Sequence, residues 1–482
     1  MTAVFAAALA ARVAIVEAGG GLLGMGNYDD GVYFSASVAL LHGRLPYRDF
    51  LFLQPPGILV VLAPFAALGP WVGDAHAFVA ARLGFLLLGA VNAALVALAL
   101  RRFGGLAALA GGTSYALALA SAHTERSTLL EPVGSFGTLV AVAVLLRPGA
   151  QGSAPPSRRE QALLLVAGLA LGLGVMTKVF FAVAALVVVV AAGRRAVPLL
   201  VGCVVVGLAV GSFALAAPGA AWQQVVLDQF GRPRLTRSPI HRLTSILQVA
   251  RVPHVPPAAV LGLALAAVLA CCLLAVRVRG GRLPVVLLLA SFPVLIAAPS
   301  YFRHYAALTA TPLSLVVGIG VAEAVRRLAP EARQPAVPVA VLAVALVSLS
   351  SWWHAGVGSF VSPPLPRVLL EQVRSVPGCV TADDPSVLVF AGTLSRTLDQ
   401  GCPFWPDTTG WLYDADAPPA SDPRLPPERN PAWQRHAFAY LTSGDATVLV
   451  RRRDGLSAET RARIGTTTSW RQGHLVLRRF AD

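Results

Sequence analysis

Charge is what this chain has least of. Of its 482 residues only 13% are charged and 56% are hydrophobic, and the mean hydropathy is +0.66. Soluble domains carry about a quarter charged residues, so the composition excludes a soluble globular protein and indicates an integral membrane protein. Cysteine is scarce too, with five in the chain. Cys203, Cys271 and Cys272 fall in apolar spans and read as inert packing residues. Cys379 and Cys402 stand alone in the C-terminal region and can pair if that region is extracytoplasmic. Zinc-finger spacing and a P-loop are both absent from the sequence. The net charge of +15 therefore does not point to nucleic acid. Much of it sits in short loops between apolar runs, as the positive-inside rule describes. No basic segment precedes the first apolar run, which reads as a retained helix and not a signal peptide.

Taken in order, residues 2–18 form a short apolar run interrupted by Arg12. A polar, acidic and aromatic loop follows, within residues 19–57, whose middle (Val32–Leu41) has the pattern of an amphipathic interfacial helix. The run 58–69 is bounded by prolines and reads as interfacial or re-entrant. Spans are expected over 77–100, 104–122, 128–146, 197–217, 257–276, 284–299, 306–325 and 335–351. Residues 161–193 are too long for one helix and read as two short ones with Lys178 at their turn. This gives an all-α polytopic protein of about eleven transmembrane helices. Arg101-Arg102, Arg158-Arg159, Arg194-Arg195, Arg277, Arg279, Arg282 and Arg326-Arg327 then share one face, the cytoplasmic one, with the N-terminus. The acidic and aromatic clusters share the other. One external loop breaks the charge rule with Arg232, Arg234, Arg237, Arg242 and Arg251 against Asp228, and suggests an anionic partner. The expected domains are a membrane module, 1–352, and a small extracytoplasmic mixed α/β domain, 353–482, with β-like runs at Ser386–Phe390 and Thr447–Val450 and a loop at 414–430.

The chemistry is expected on the external face. Asp29 and Asp30 are adjacent carboxylates, so one can reach a substrate while the other binds a cation or caps the following helix. Asp49 can fold back towards them, and a carboxylate there suits a general base on an acceptor hydroxyl. His123, Glu125, Arg126 and Glu131 share the next external turn, with Glu125 the candidate for direct contact. Lys178 lies in an apolar stretch where an unpaired ammonium costs roughly 3 kcal/mol. A phosphate or a loop acid would satisfy it. Arg303, His304 and Tyr305 open a span, and a guanidinium fork suits phosphate oxygens.

These residues resemble the polytopic GT-C glycosyltransferases, in the class of the aminoarabinose transferases and protein O-mannosyltransferases. The matching features are Asp29-Asp30, the helix from Val32, Gly43-Arg44-Leu45-Pro46-Tyr47-Arg48-Asp49, and Gln54-Pro55-Pro56. Gly172–Lys178 and Arg303–Tyr305 resemble two further segments, with Phe180 and His304 as departures. The resemblance covers about residues 10–330. It implies transfer of a sugar from a polyprenyl-phosphate carrier to an extracytoplasmic glycan, lipid or protein, in one inverting step. Asp29, Asp30 and Asp49 are then the catalytic candidates. Tyr33, Tyr47, Glu125, Lys178, Arg303, His304 and Tyr305 are the substrate-binding ones. A divalent ion (Mg, Mn or Zn) would sit at Asp30 and His304. The acidic pair of the aminoarabinose enzymes is Asp-Glu where this chain has Asp-Asp, which leaves the base open between Asp29 and Asp30.

Other readings are a lipid-linked glycan transporter or flippase, a non-enzymatic membrane assembly protein, and a polymerase or ligase of polyprenyl-linked glycans. A transporter predicts internal repeats, and the sequence shows none of conviction. The Ala, Gly, Pro and Arg content suits a GC-rich bacterial genome and a plasma-membrane location.

Overall fold

A computed structural model describes residues 1–147, 156–232, 238–249, 254–328, 333–355, 362–413, 425–452, 455–464 and 468–480. The expected loop at 414–430 lies largely outside these residues, as do Arg234, Arg237 and Arg251 of the basic loop. The chain is a multi-pass membrane protein, helical apart from a small C-terminal sheet.

The count of spans corrects the expected eleven. Among the described residues five helices are long and apolar enough to cross a membrane: Asp74–Phe103, Arg158–Thr177, Phe181–Ala216, Pro257–Ala275 and Arg303–Leu328. A sixth is added if Gly105–Leu117 and Leu119–Glu125, bent by 59°, act as one. Gly57–Val72, Glu131–Leu146, Arg282–Ala297 and Ala336–Trp352 are apolar but only 10–17 residues long. A bilayer core of ~30 Å asks for about 20. Hydropathy registers how apolar a run is but not where its helix stops. The expected division over 161–217 also shifts, because Phe181–Ala216 is one 36-residue helical run. The break at Lys178 falls where expected, between helices Arg158–Thr177 and Phe181–Ala192.

Packing divides the chain into two compact units. The first comprises Met1–Ala18, Leu83–Val210 and Thr236–Phe360. Its core is a helix bundle of Ala, Val and Leu side chains. Small residues let the backbones close up, as in membrane bundles generally. At Gly168 an added Cβ would stand 2.0 Å from the Leu199 carbonyl oxygen, so only glycine fits that crossing.

The second unit comprises Gly19–Arg82, Gly211–Leu235 and Val361–Asp482. Its helix Tyr28–Leu41 begins ahead of the expected Val32, at the N-cap Asn27. Every residue from Asp30 to Ala39 is buried, so it is a core helix and not an amphipathic one. The C-terminal part holds a four-stranded sheet in the order β1-β2-β4-β3, where β1 is Val380–Ala382, β2 Ala446–Leu449, β3 Thr468–Gln472 and β4 Leu475–Arg479. β1 and β2 are parallel and the other pairs antiparallel. The β-like run at Ser386–Phe390 is instead part of a helix, Ser386–Ala391, closed by Gly392 in the left-handed conformation. Thr447–Val450 overlaps β2 as expected. Cys379 and Cys402 form a disulfide.

Candidate functional site

The candidate residues divide between the two units. In the second, the cap is Asn27, whose side chain accepts from the Asp29 N–H at 3.1 Å, so neither aspartate is needed for that task. The adjacent carboxylates part company in the first helical turn. Asp29 is half-buried. Asp30 is fully buried, and its Oδ2 accepts from Arg82 Nε at 2.9 Å and Nη2 at 2.6 Å. Arg82 also donates to the carbonyls of Leu22 and Gly24 and covers the Phe78 ring, 4.2 Å from its centroid. A carboxylate so neutralised is a poor metal ligand. His304 belongs to the other unit. Among the described residues no three His, Cys, Asp or Glu side chains gather as a metal set.

Asp49 lies on the surface, bonded to Arg48 Nε at 2.9 Å and Nη2 at 2.7 Å, and accepting from the Leu45 N–H at 2.7 Å. The Arg48 hydrogen bond holds its carboxyl below the ordinary range. Tyr47 is buried in a left-handed conformation, φ 70°, and donates to the Gln54 carbonyl at 2.7 Å. Tyr33 packs edge-on against Phe52. Both tyrosines thus help to shape the loop.

The sequence reading missed a third group in this unit. Tyr28 donates to Asp407 Oδ1 at 3.0 Å, and the Arg451 guanidinium lies 4.0 Å from the centre of the Tyr28 ring. The Asp383 carboxylate accepts from the N–H groups of Val450 and Arg451. Buried Asp384 accepts from the Ser386 N–H at 2.9 Å. The available signal was a second aspartate pair, Asp383-Asp384.

In the first unit, Lys178 is buried at the helix break and donates to Glu131 Oε1 at 2.5 Å. Its Nζ lies 3.7 Å from the centre of the Tyr305 ring. His304 Nε2 is 3.9 Å from the same Glu131 oxygen. His123 feels the charges of Arg126, His304 and Arg303. Glu131 therefore faces one lysine and one histidine. A small cavity of about 20 Å³ adjoins the group, lined by Phe180, Phe181, Leu287, Leu308 and the hydroxyl-bearing Thr138, Ser291 and Thr311. Glu131, which pairs with Lys178, was not among the candidate contacts.

Glu125 was, but its oxygens are taken. Oε1 accepts from Asn92 at 2.9 Å and from the Tyr115 hydroxyl at 2.7 Å. Oε2 accepts from Arg12 Nε at 2.9 Å and also from its Nη2. Arg12 in turn donates to the carbonyls of Ala8 and Ala116. In the basic loop, Arg242 is likewise spent on backbone, at the carbonyls of Ile296 and Ala298.

Residues 63–212 match the model of a family described as dolichyl-phosphate-mannose-protein mannosyltransferase. No curated protein matches the chain. Among solved structures, ArnT from Cupriavidus metallidurans bound to undecaprenyl phosphate is similar over 99% of this chain and 97% of that one, with a TM-score of 0.63 and 14% identity. The fold is of the GT-C type. Its apo form gives the same values. The apo oligosaccharyltransferase of Archaeoglobus fulgidus is similar over 81% of this chain and 64% of that one, with a TM-score of 0.52 and 12% identity.

Proposed function

We propose that this chain is a glycosyltransferase of the bacterial plasma membrane that moves a sugar from a polyprenyl-phosphate carrier to an extracytoplasmic glycan, lipid or protein. The observation that carries the reading is buried Lys178 with Glu131, His304 and neighbouring basic side chains in a GT-C fold. Such a group suits a lipid phosphate. The solved ArnT complex with undecaprenyl phosphate supports the choice of carrier.

In this reading the acceptor oxygen attacks C1 of the sugar as Asp29 takes its proton. The bond from C1 to the carrier phosphate breaks, and C1 inverts. Lys178, Arg303 and His304 hold the leaving phosphate, whose charge grows in the transition state. Asp30, committed to Arg82, orients the turn that carries Asp29. Of the two adjacent acids, the half-buried one is the better base. Residues 353–482 lie outside the cytoplasm and the N-terminus inside. The Cys379–Cys402 disulfide supports that orientation, since such bonds persist in oxidising compartments.

The test is transfer by the purified chain from a panel of labelled polyprenyl-phosphate sugars. The wild type should turn over at least one donor. Asp29→Asn should lower kcat by about 10²- to 10⁴-fold, the usual worth of a general base. Turnover of no donor, or full activity in both Asp29→Asn and Lys178→Ala, would overturn the reading.

A further inference from the structure

The second unit brings residues distant in sequence onto the first turn of helix Tyr28–Leu41. An added Cβ on Gly31 would stand 1.9 Å from Ser386 Oγ, so the turn Asp384-Pro385-Ser386 lies directly on that helix. Asp384 is buried, and its charge is coupled to Arg451 and to Asp30. Arg451 covers the ring of Tyr28, the residue before Asp29, and donates to Thr409 Oγ1 at 2.7 Å. The Tyr28 hydroxyl is fixed by Asp407, which also accepts from the N–H groups of Thr409 and Gly410. Acids and bases thus meet at this turn, Arg82 on buried Asp30 and half-buried Arg451 over Tyr28, with its charge acting on Asp384. An apolar contact would dock the C-terminal part without the desolvation that buried charges cost. Charges placed here fix direction, which a packed apolar surface does less well.

We infer that Asp384 and Arg451, from the C-terminal part of the chain, are positioning residues that set the orientation of the Asp29 turn. The inference rests on the proposed role of Asp29. It makes the C-terminal sheet region a working part of the transferase, acting on the acid through Tyr28 and Gly31.

Burial pushes the Asp384 carboxyl up, against the pull of Arg451, with Asp30 adding to the push. The other charged groups at this place are Asp383, committed to the Val450 and Arg451 N–H groups, and Asp407, committed to Tyr28. Acidification therefore neutralises Asp384 early and removes the charge that faces Arg451. Asp29 as base loses its function on the same side of the profile.

The experiment uses the full chain in nanodiscs, as wild type, Asp384→Asn and Arg451→Lys. Arg451→Lys keeps the charge but loses the planar fork. Each variant should lower kcat by roughly ten- to a hundred-fold, the scale of a misplaced reacting group, with donor KM changed by less than about two-fold. The acid limb of kcat against pH should need two protons in the wild type and one in Asp384→Asn. Hydrogen exchange over residues 27–34 should quicken in Arg451→Lys, and this reads the positioning without any donor. Wild-type exchange there in the folded variants, or wild-type kcat with an unchanged acid limb, overturns the inference. If the wild type turns over no donor while Arg451→Lys still shows the quickened exchange, the positioning is upheld and only the proposed function is overturned.

Discussion

Two buried carboxylates of the first unit, Glu125 and Glu131, each meet a basic side chain, and they differ in what else surrounds them. Glu125 is saturated, with Arg12, Asn92 and Tyr115 filling both oxygens while Arg12 spends its remaining donors on two carbonyls. Glu131 is not. Its Oε1 takes Lys178, its buried Oε2 accepts no hydrogen bond among the described residues, and basic side chains gather on it. A saturated pair has nothing left to offer a ligand and holds the helices at the bend between Gly105–Leu117 and Leu119–Glu125. An acid with an open oxygen, shared between a lysine and a histidine, leaves donors for a phosphate. Burial and pairing alone do not separate the two cases; the count of remaining partners does.

The largest effect should come from breaking the saturated pair. Arg12→Met leaves a buried carboxylate without its cation and should cost about 3–5 kcal/mol of stability, read as a lowered melting temperature in detergent. Donor affinity of the chain that remains folded should hold. Loss of donor binding at unchanged melting would reverse the comparison and return Glu125 to the substrate. Lys178→Met should act the other way round. Donor binding should weaken by about ten- to a hundred-fold, the worth of a charged hydrogen bond, together with a loss of melting temperature, since Glu131 too is left buried without its cation. Glu131→Gln sharpens the contrast, since it removes the acid from a basic group and should leave donor binding within about three-fold or tighten it. If it abolishes binding, the two pairs are of one kind.

The sequence carried the break at Lys178, because two glycines and a lysine interrupt an apolar run, and it carried a helix over Val32–Leu41 though neither its start at Tyr28 nor its burial. It could not say which acid meets Lys178. His123, Glu125, Arg126 and Glu131 lie in one turn, and choosing among them needs the bend after Leu117, which no proline marks. Nor could it supply Arg82 for Asp30, since arginine within a long apolar helix reads as an ordinary interruption. The Ser386–Phe390 stretch, SVLVF, has strand composition, yet it is helical between Asp384 and Gly392, where local capping outweighs propensity. The number of spans failed for a related reason. Apolar runs end where geometry ends them, as at Leu146 and Ala297, and composition does not show it.

A smaller effect is expected at Gly31, where the second unit offers its own comparison of a tight contact with an open one. Gly31→Ala forces a methyl into the Ser386 side chain. Overpacking of this kind costs about 1–3 kcal/mol, to be read as melting temperature, and it should lower kcat along with Arg451→Lys because both disturb the same turn. Gly43, where an added Cβ meets nothing within 4 Å, does not serve as a space-only control, since its φ of +80° strains any side chain.

The smallest effect should come from Asp49, and it bears on whether the loop acids are equivalent. Asp30 and Asp49 both accept two bonds from an arginine, but Asp30 is sealed and Asp49 faces water. Exposed pairs are screened and contribute little. Because the Arg48 hydrogen bond depresses the Asp49 carboxyl in the folded chain, its contribution is whole above the unfolded carboxylate pKa of about 3.9 and fades as pH falls through the lower folded value. Arg48→Ala should bring the Asp49 titration, followed by carboxyl NMR, back towards the ordinary range, with kcat at neutral pH changed by less than about two-fold. A large loss of kcat in Asp49→Asn at unchanged melting would make Asp49 a second acid of the reaction. The comparison of sealed with open acids would then have to be drawn between Asp30 alone and the pair Asp29 and Asp49.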